Sequence, residues 1–368
     1  MANAYISQNI DEYLRKRLTP VESSIPHLPG IEIYGDSVPA GTVGGDLFEY
    51  INFPRRYNID ARIQRAQKLL STYLDPLPRG GTPRNSVDDH VGWLKSRPGY
   101  KTEMELEYRD ARSSEQARVT EDLHLLYDSA GVLIVDAQGH GVISAKIAST
   151  VHDTFHALML ADLDRSGRTT PELFERMNLR MAQAITARNE LGEIEREHAR
   201  EVATMLYGEV HRDGHFRFVN FGHPPPLVFS IERDRFIEID SAAIVQFPAL
   251  GLQIPEDHPD RNRYYSIQLR QKCARASDLE ELTLNGRGDI LFLYTDGVYD
   301  GSDDTKRLQI EAVIRKYSYL PPREICNAIL EFAVKEDHQL SQLGEDDRID
   351  DKTVFIIKRC SEGDKGSK

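Results

Sequence analysis

The chain has 368 residues, 40% of them hydrophobic, enough to bury a sizeable core in one large domain or two ordinary ones. Lys and Arg number 46 against 59 Asp and Glu, a formal net charge of −13, which argues against nucleic acid as the main partner because phosphate binding needs a basic face. Cys273, Cys326 and Cys360 are widely spaced, with no CxxC or Cys/His metal spacing, and read as buried or idle thiols of a reducing compartment.

Residues 1–30 read as a short polar helix around Ile10–Leu18 and a proline-containing linker, with no room for a sensor domain ahead of Gly44. The first five residues lack a basic stretch leading into an apolar one, and no apolar run approaches the roughly 20 residues of a membrane helix, so the expectation is a cytoplasmic protein without a membrane partner. Ile31–Tyr34 alternates like a half-buried strand, Gly41–Gly45 is a turn, and Asp46–Phe53 is the next strand. Residues 54–120 differ in character. Tyr57–Tyr73 places Ile59, Ile63, Ala66, Leu70 and Tyr73 on one helical face, and a breaker-rich loop, Pro76–Pro83, precedes the charged stretch Lys101–Arg118. This part carries no catalytic motif and reads as an inserted helical segment.

Strands are expected at Leu123–Tyr127 and Gly131–Asp136, around a turn at Asp128–Gly131. After Gly141, Ile143, Ile147, Val151, Phe155 and Leu158 form the stripe of an amphipathic helix. Thr170 is the expected N-cap of a second helix, with Pro171 at its first position and an end near Asn189. Ala203–Val210 and His215–Asn220 flank the hairpin turn Arg212-Asp213-Gly214, and Leu227–Ile231 with Arg235–Ile239 make a second hairpin. Tyr264–Leu269 is a further strand candidate, and Asn285-Gly286 turns the chain into the buried strand Ile290–Tyr294. Helices at about Leu308–Lys316 and Pro322–Glu336, the strand Thr353–Lys358 and a polar tail over residues 361–368 complete the chain. Strands outnumber helices and the helices come in adjacent pairs, which favours α+β layers over a doubly wound sheet.

Four short acidic motifs stand at the edges of these strands: Gly44-Gly45-Asp46, Asp136-Ala137-Gln138-Gly139-His140-Gly141, Tyr294-Thr295-Asp296-Gly297 and Asp350-Asp351. Carboxylates at strand ends can converge, and two unit charges about 4 Å apart repel by roughly 4 kcal/mol at an effective dielectric near 20. Such a cluster raises its own pKa values or recruits a divalent cation, and hard oxygen donors point to magnesium or manganese rather than zinc. Taken singly, each motif is also readable as a capped or solvated turn.

In this order, the four motifs resemble the PPM family of metal-dependent serine/threonine protein phosphatases, in particular its bacterial SpoIIE-like branch. Thr204–Gly208, Val219–Leu227 and Gly288–Val298 add to the resemblance, which covers roughly residues 31–359 outside the 54–120 insertion. It implies one phosphatase domain over residues 31–360, folded as a four-layer αββα sandwich of two mainly antiparallel sheets flanked by helices. It implies two Mn2+ or Mg2+ ions, with Asp136 bridging both, the Ala137 carbonyl on one, and Asp46, Asp296 and Asp350 as the other carboxylates. Asp350 is preferred to Asp351, which stands where eukaryotic relatives often carry asparagine. A water between the metals would lose a proton and attack phosphorus in line with the departing serine or threonine oxygen. The implied substrate is a phosphoprotein, with anti-sigma-factor antagonists of partner-switching pathways as family examples. A non-catalytic scaffold and a hydrolase of small phosphate esters are the alternative readings.

The 90 residues from Asp46 to Asp136 exceed the usual family spacing. The insertion they contain is a candidate to cover the site, form a homodimer or bind a regulator, and equally a tolerated surface segment. Glu49 and Asp300 stand where the branch usually shows the other acid. The acid histidine of eukaryotic relatives falls at Gln138, so His140 is read as structural, as is His223 before its proline-rich turn. The other histidines are expected to form no ligand cluster.

Overall fold

A computed structural model describes residues 20, 24–41, 43–74, 100–139, 141–190, 202–237, 246–252, 280–301, 303–344 and 349–360. The expectations at Ile10–Leu18, Pro76–Pro83, His140, Tyr264–Leu269, Cys273 and residues 361–368 lie outside the described residues. In chain order come β1 (Ile31–Val38), β2 (Asp46–Ile51), α1 (Phe53–Tyr57), α2 (Ile59–Leu74), α3 (Tyr100–Leu125) and β3 (Ser129–Ala137). Next are α4 (Val142–Ser166), α5 (Pro171–Glu190), β4 (Ala203–His211), β5 (His215–Phe221), β6 (Leu227–Ser230) and β7 (Arg235–Ile237). The last elements are β8 (Gln246–Phe247), β9 (Glu280–Thr283), β10 (Ile290–Tyr294), α6 (Asp304–Tyr317), α7 (Pro322–Leu343) and β11 (Lys352–Arg359).

These strands form two sheets. One runs β1-β11-β10-β6-β7, antiparallel throughout. The other runs β2-β3-β4-β5, with the antiparallel β9 and the short parallel β8 both pairing with β5. The period-2 alternation of each strand sorts its side chains into different layers. Phe48 and Tyr50 of β2 and Val132 and Ile134 of β3 enter the core between the sheets, where they meet Leu291, Leu293, Phe355 and Ile357 from the facing sheet. Leu47 and Ile51, one residue out of phase, instead pack under α2–α5 with Val151, Phe155, Leu173 and Phe174. The other sheet's outer face is covered by α6 and α7 through Ile310, Ile314, Ile325 and Ile329. The result is the αββα sandwich. Tyr50 links the sheets directly: its hydroxyl accepts from the Gly35 N–H at 2.6 Å and donates to the Gly35 carbonyl at 2.9 Å.

Two local expectations are corrected. Leu123–Tyr127 is not a strand: Leu123 lies in α3, which ends at Leu125, and Leu126 and Tyr127 lie in a 3-10 turn. Val119, Leu123 and Leu126 are spaced as one helical face and are buried with Ile59 and Ile63, so helical packing overrides the local strand preference. Thr170 directly precedes α5, and its carbonyl accepts the Leu173 N–H at 3.2 Å as expected of an N-cap, while its hydroxyl turns to Asp162, which also accepts the Thr170 N–H at 2.7 Å. Ile143 leaves the predicted stripe and is exposed, whereas Ile147, Val151, Phe155 and Leu158 are buried.

The insertion leaves the chain after β2 and returns before β3. Its helices α2 and α3 pack on each other, and Arg62 of α2 pairs with Asp164 and donates to the Leu160 carbonyl of α4 at 3.2 Å. Asp46 and Asp136 stand at the other ends of β2 and β3. Five strand steps of about 3.4 Å put the base of the insertion roughly 17 Å from Asp46.

Phe355 fills the middle of the inter-sheet core, its ring 5.1 Å from Tyr50 and 6.1 Å from Phe48. Phe355→Ala should destabilise the fold by about 3–5 kcal/mol. Urea unfolding measures this, and a loss below about 1 kcal/mol would mean that the sheets do not depend on this contact.

Candidate active site

Asp46 begins β2 and is the cross-strand partner of Asp136, the next-to-last residue of β3. Asp46 shares strand parity with Phe48 and Tyr50, and Asp136 shares it with Ile134 and Val132, so both aspartates occupy the cleft face of their sheet at its end. The facing sheet supplies the other two. Asp296 lies just beyond β10 and Asp350 just before β11, strands paired through Tyr294 and Val354. Four residues separated by up to three hundred positions thus meet where the cleft opens to solvent. Asp46 is buried, Asp136 is half-buried, and Asp296 and Asp350 are exposed at the rim.

Threonines from the facing sheet hold Asp46 in place. Its Oδ2 accepts from Thr353 Oγ1 at 2.7 Å and Thr295 Oγ1 at 2.8 Å, and the Thr353 N–H donates to Thr295 Oγ1 at 2.9 Å. Burial pushes the Asp46 carboxyl up to about 8, with the charges of Asp351 and Asp350 adding to it and the two threonine hydrogen bonds offsetting part. Asp136 rises to about 9, again through burial first and then through the charges of Asp46, Asp296 and Asp350. Asp296 is raised by burial and by Asp350, partly offset by a hydrogen bond from the Gly297 backbone.

Asp351 is placed differently from its neighbour. It is buried, and its carboxylate accepts the N–H groups of Ala40 at 2.7 Å and Gly45 at 2.5 Å. Asp350 accepts the Asp351 N–H at 2.8 Å through Oδ1. The Lys352 ammonium is directed to Asp337, at 2.7 Å, and to the Asp350 carbonyl, at 2.8 Å. Close backbone approach explains two of the motif glycines. A Cβ on Gly45 would come within 2.5 Å of the Ala137 carbonyl oxygen, and one on Gly297 within 2.1 Å of the Asp351 carbonyl oxygen.

His223 lies in the interior, its Nδ1 2.8 Å from Thr204 Oγ1 and its N–H donated to Asn220 at 2.8 Å. Burial lowers its pKa to about 3, offset only in part by a hydrogen bond with the Tyr294 backbone, so the ring is neutral at pH 7. At the lip of the cleft, the first turn of α4 leaves Val142 and Ile143 exposed, at 45% and 67% of their surface.

Sequence reasoning did not single out Thr295 or Thr353 as supports of Asp46, although both sit beside motif aspartates. It also expected no further histidine cluster, and this is corrected. His152 and His156, four residues apart on α4, bring their Nε2 atoms to 3.0 Å and 2.5 Å from Glu49 Oε2. The four-residue spacing was the available signal.

A family model described as Stage II sporulation protein E (SpoIIE) matches residues 127–267 and 277–360. No curated protein matches the chain. Among solved structures, the SiaA-PP2C domain of Pseudomonas aeruginosa is 13% identical, with a TM-score of 0.50 and coverage of 97% of this chain and 98% of that one. The RsbU and RsbW domains of a Mycobacterium tuberculosis protein are 14% identical (TM-score 0.48), and 93% of this chain is covered. The PP2C phosphatase domain of Bacillus subtilis SpoIIE, with a fragment of its regulatory domain, is 12% identical (TM-score 0.46), and 90% of this chain is covered. The match spans 64% of the length of each of these last two chains. The SiaA likeness is one of fold, and it agrees with the two-sheet sandwich. The family match takes in more than half of the sequence and includes three of the four acidic positions; the chain belongs to the SpoIIE family.

Proposed function

We propose that the chain hydrolyses phosphoserine or phosphothreonine on a protein substrate, using two divalent ions, Mn2+ or Mg2+, held by Asp46, Asp136, Asp296, Asp350 and the Ala137 carbonyl. The observation that carries this reading is the meeting of four aspartates from two sheets, with Asp46 and Asp136 driven up to about 8 and 9. The donor set fits the ions: all oxygen, mostly anionic, and short of positive charge. When bound, the ions supply charge neutralisation at the phosphoryl oxygens and lower the pKa of the attacking water.

The chain's own residues do the positioning. Thr295 and Thr353 fix Oδ2 of Asp46 from the facing sheet, and Asp351 fixes the Gly45 loop behind it. The geometry supports Asp350 over Asp351 as a ligand, because the Asp351 oxygens are engaged by two backbone N–H groups. A rim with Asp296 and Asp350 exposed suits a phosphorylated side chain presented on a protein surface, and Val142 and Ile143 offer apolar contact beside it. Family membership supports a small phosphoprotein of the anti-sigma-factor-antagonist kind as that substrate. Among the described residues no helix is long and apolar enough to cross a membrane, and a cytoplasmic phosphoprotein is the substrate this reading requires.

Purified protein with Mn2+ should release phosphate from a phosphoserine peptide, and EDTA should stop it. Asp136→Asn and Asp296→Asn should each lower turnover by on the order of 10²–10³-fold or more, as expected when a preorganised electrostatic element is lost. Normal turnover in either variant sinks the assignment.

Metal loading should also depend on pH with a definite sign. Asp46 and Asp136, at about 8 and 9, hold protons at neutral pH, and a cation must displace them. Apparent Mn2+ affinity should therefore rise as pH increases from about 6 to 9, with proton release at pH 7. Calorimetry in two buffers of different ionisation enthalpy reads both quantities. An affinity flat across this range would contradict metal binding at these carboxyls.

A further inference from the structure

β2 presents different chemistry on its two faces. Asp46 faces the cleft between the sheets, whereas Glu49 has the parity of Leu47 and Ile51 and faces the helical layer. There it meets His152 and His156, and the two Nε2 atoms and a Glu49 carboxylate oxygen lie within 4.8 Å of one another. Both imidazoles are already engaged on the opposite side. His156 Nδ1 lies 2.6 Å from the Tyr57 hydroxyl, and His152 Nδ1 lies 3.1 Å from Asp153 Oδ1. Arg56 stands 3.5 Å from the other Glu49 oxygen, Oε1.

We propose that Glu49, His152 and His156 form a site for a transition-metal cation of the zinc class, separate from the aspartate centre. Two imidazole nitrogens and one carboxylate oxygen are a ligand set for Zn2+ rather than Mg2+, and three protein ligands leave a fourth position for water. The side chains of Glu49, His152 and His156 retain 17%, 16% and 11% of their exposure, which leaves a route for that water. With the cation present, each Nε2 gives its lone pair to the metal and each Nδ1 carries the proton, donated to Tyr57 Oη or to the Asp153 carboxylate. Such outer partners fix the tautomer and orientation of metal-binding histidines. Without it, Glu49 Oε2 serves both rings as a hydrogen-bond acceptor. Burial lowers the pKa of His156, which favours the neutral ring a metal needs. The Glu49 carboxyl is lowered to about 2: burial alone would raise it, but the hydrogen bonds from His152 and His156 outweigh that. The bound cation would fasten α4 to β2.

Co2+ is the probe. The full chain is stripped with EDTA and titrated with Co2+ in the presence of excess Mg2+. One equivalent should bind with the visible absorption of a four-coordinate nitrogen/oxygen site, and Zn2+ should displace it. His152→Ala and Glu49→Gln should each abolish the band. Tyr57→Phe should weaken Co2+ binding by about 10–100-fold, the usual effect of losing an outer partner. Asp136→Asn should leave the band unchanged. Absence of a stoichiometric band, its persistence in His152→Ala, or its loss in Asp136→Asn overturns the proposal. Should His152→Ala fail to fold, Zn2+ added to the wild-type protein with 15N-labelled histidine decides. Shifts at the Nε2 atoms of His152 and His156 support the site, and unshifted resonances overturn it.

Discussion

Like charges packed at one end of a cleft are the constraint on which the rest of the structure depends. Each sheet brings two aspartates to the same edge, so neither sheet alone defines the site and the alignment between them must be maintained. The hydrogen bonds that maintain it are local to the problem. Thr295 and Thr353 reach across to Asp46, Asp351 reaches across to Gly45, and Tyr50 closes the cleft farther in through Gly35. The carboxyl with the most such support, Asp46, is also the most buried of the four, where an unsupported charge would cost most. In the absence of a cation, protons relieve first the cost of burying these carboxylates and then their mutual repulsion, which is the physical meaning of the upward shifts at Asp46, Asp136 and Asp296.

The motifs were legible because each aspartate ends or precedes a run of apolar residues and has glycine close by. Strand parity places Asp46 and Asp136 on the cleft face, and Ile290–Tyr294 is apolar at every position because both faces of β10 are covered. Less legible was anything decided by contacts remote in sequence. Leu123–Tyr127 has strand-like composition, yet its register with Val119 extends a helix once Ile59 and Ile63 lie against it. Thr170 takes the cap position before α5, but the partner of its hydroxyl, Asp162, could not be read from the local pattern. The histidine pair on α4 was visible as a spacing. Its acidic partner is more than a hundred residues away, and no local pattern connects them.

Asp46 and Glu49 are three residues apart on one strand, and the pleat sends them into different layers. β2 therefore contributes to the cleft through one face and to the anchoring of α4 through the other. Helix α4 in turn is the next element after β3 and starts at Val142. A small movement of α4 over β2 is thus coupled by chain connectivity to the end of β3 that carries Asp136, and the contacts of Glu49 with His152 and His156 oppose that movement.

The placement of the insertion gives this coupling a direction. Its helices α2 and α3 are rooted at the far ends of β2 and β3, and Arg62 of α2 holds the C-terminal half of α4 through Asp164 and Leu160. A load applied to the helical pair is therefore delivered to three elements that all lead to the aspartates: two strands along their length and one helix at the end opposite its start. The insertion thus stands at the ends of β2 and β3 opposite to those that carry Asp46 and Asp136.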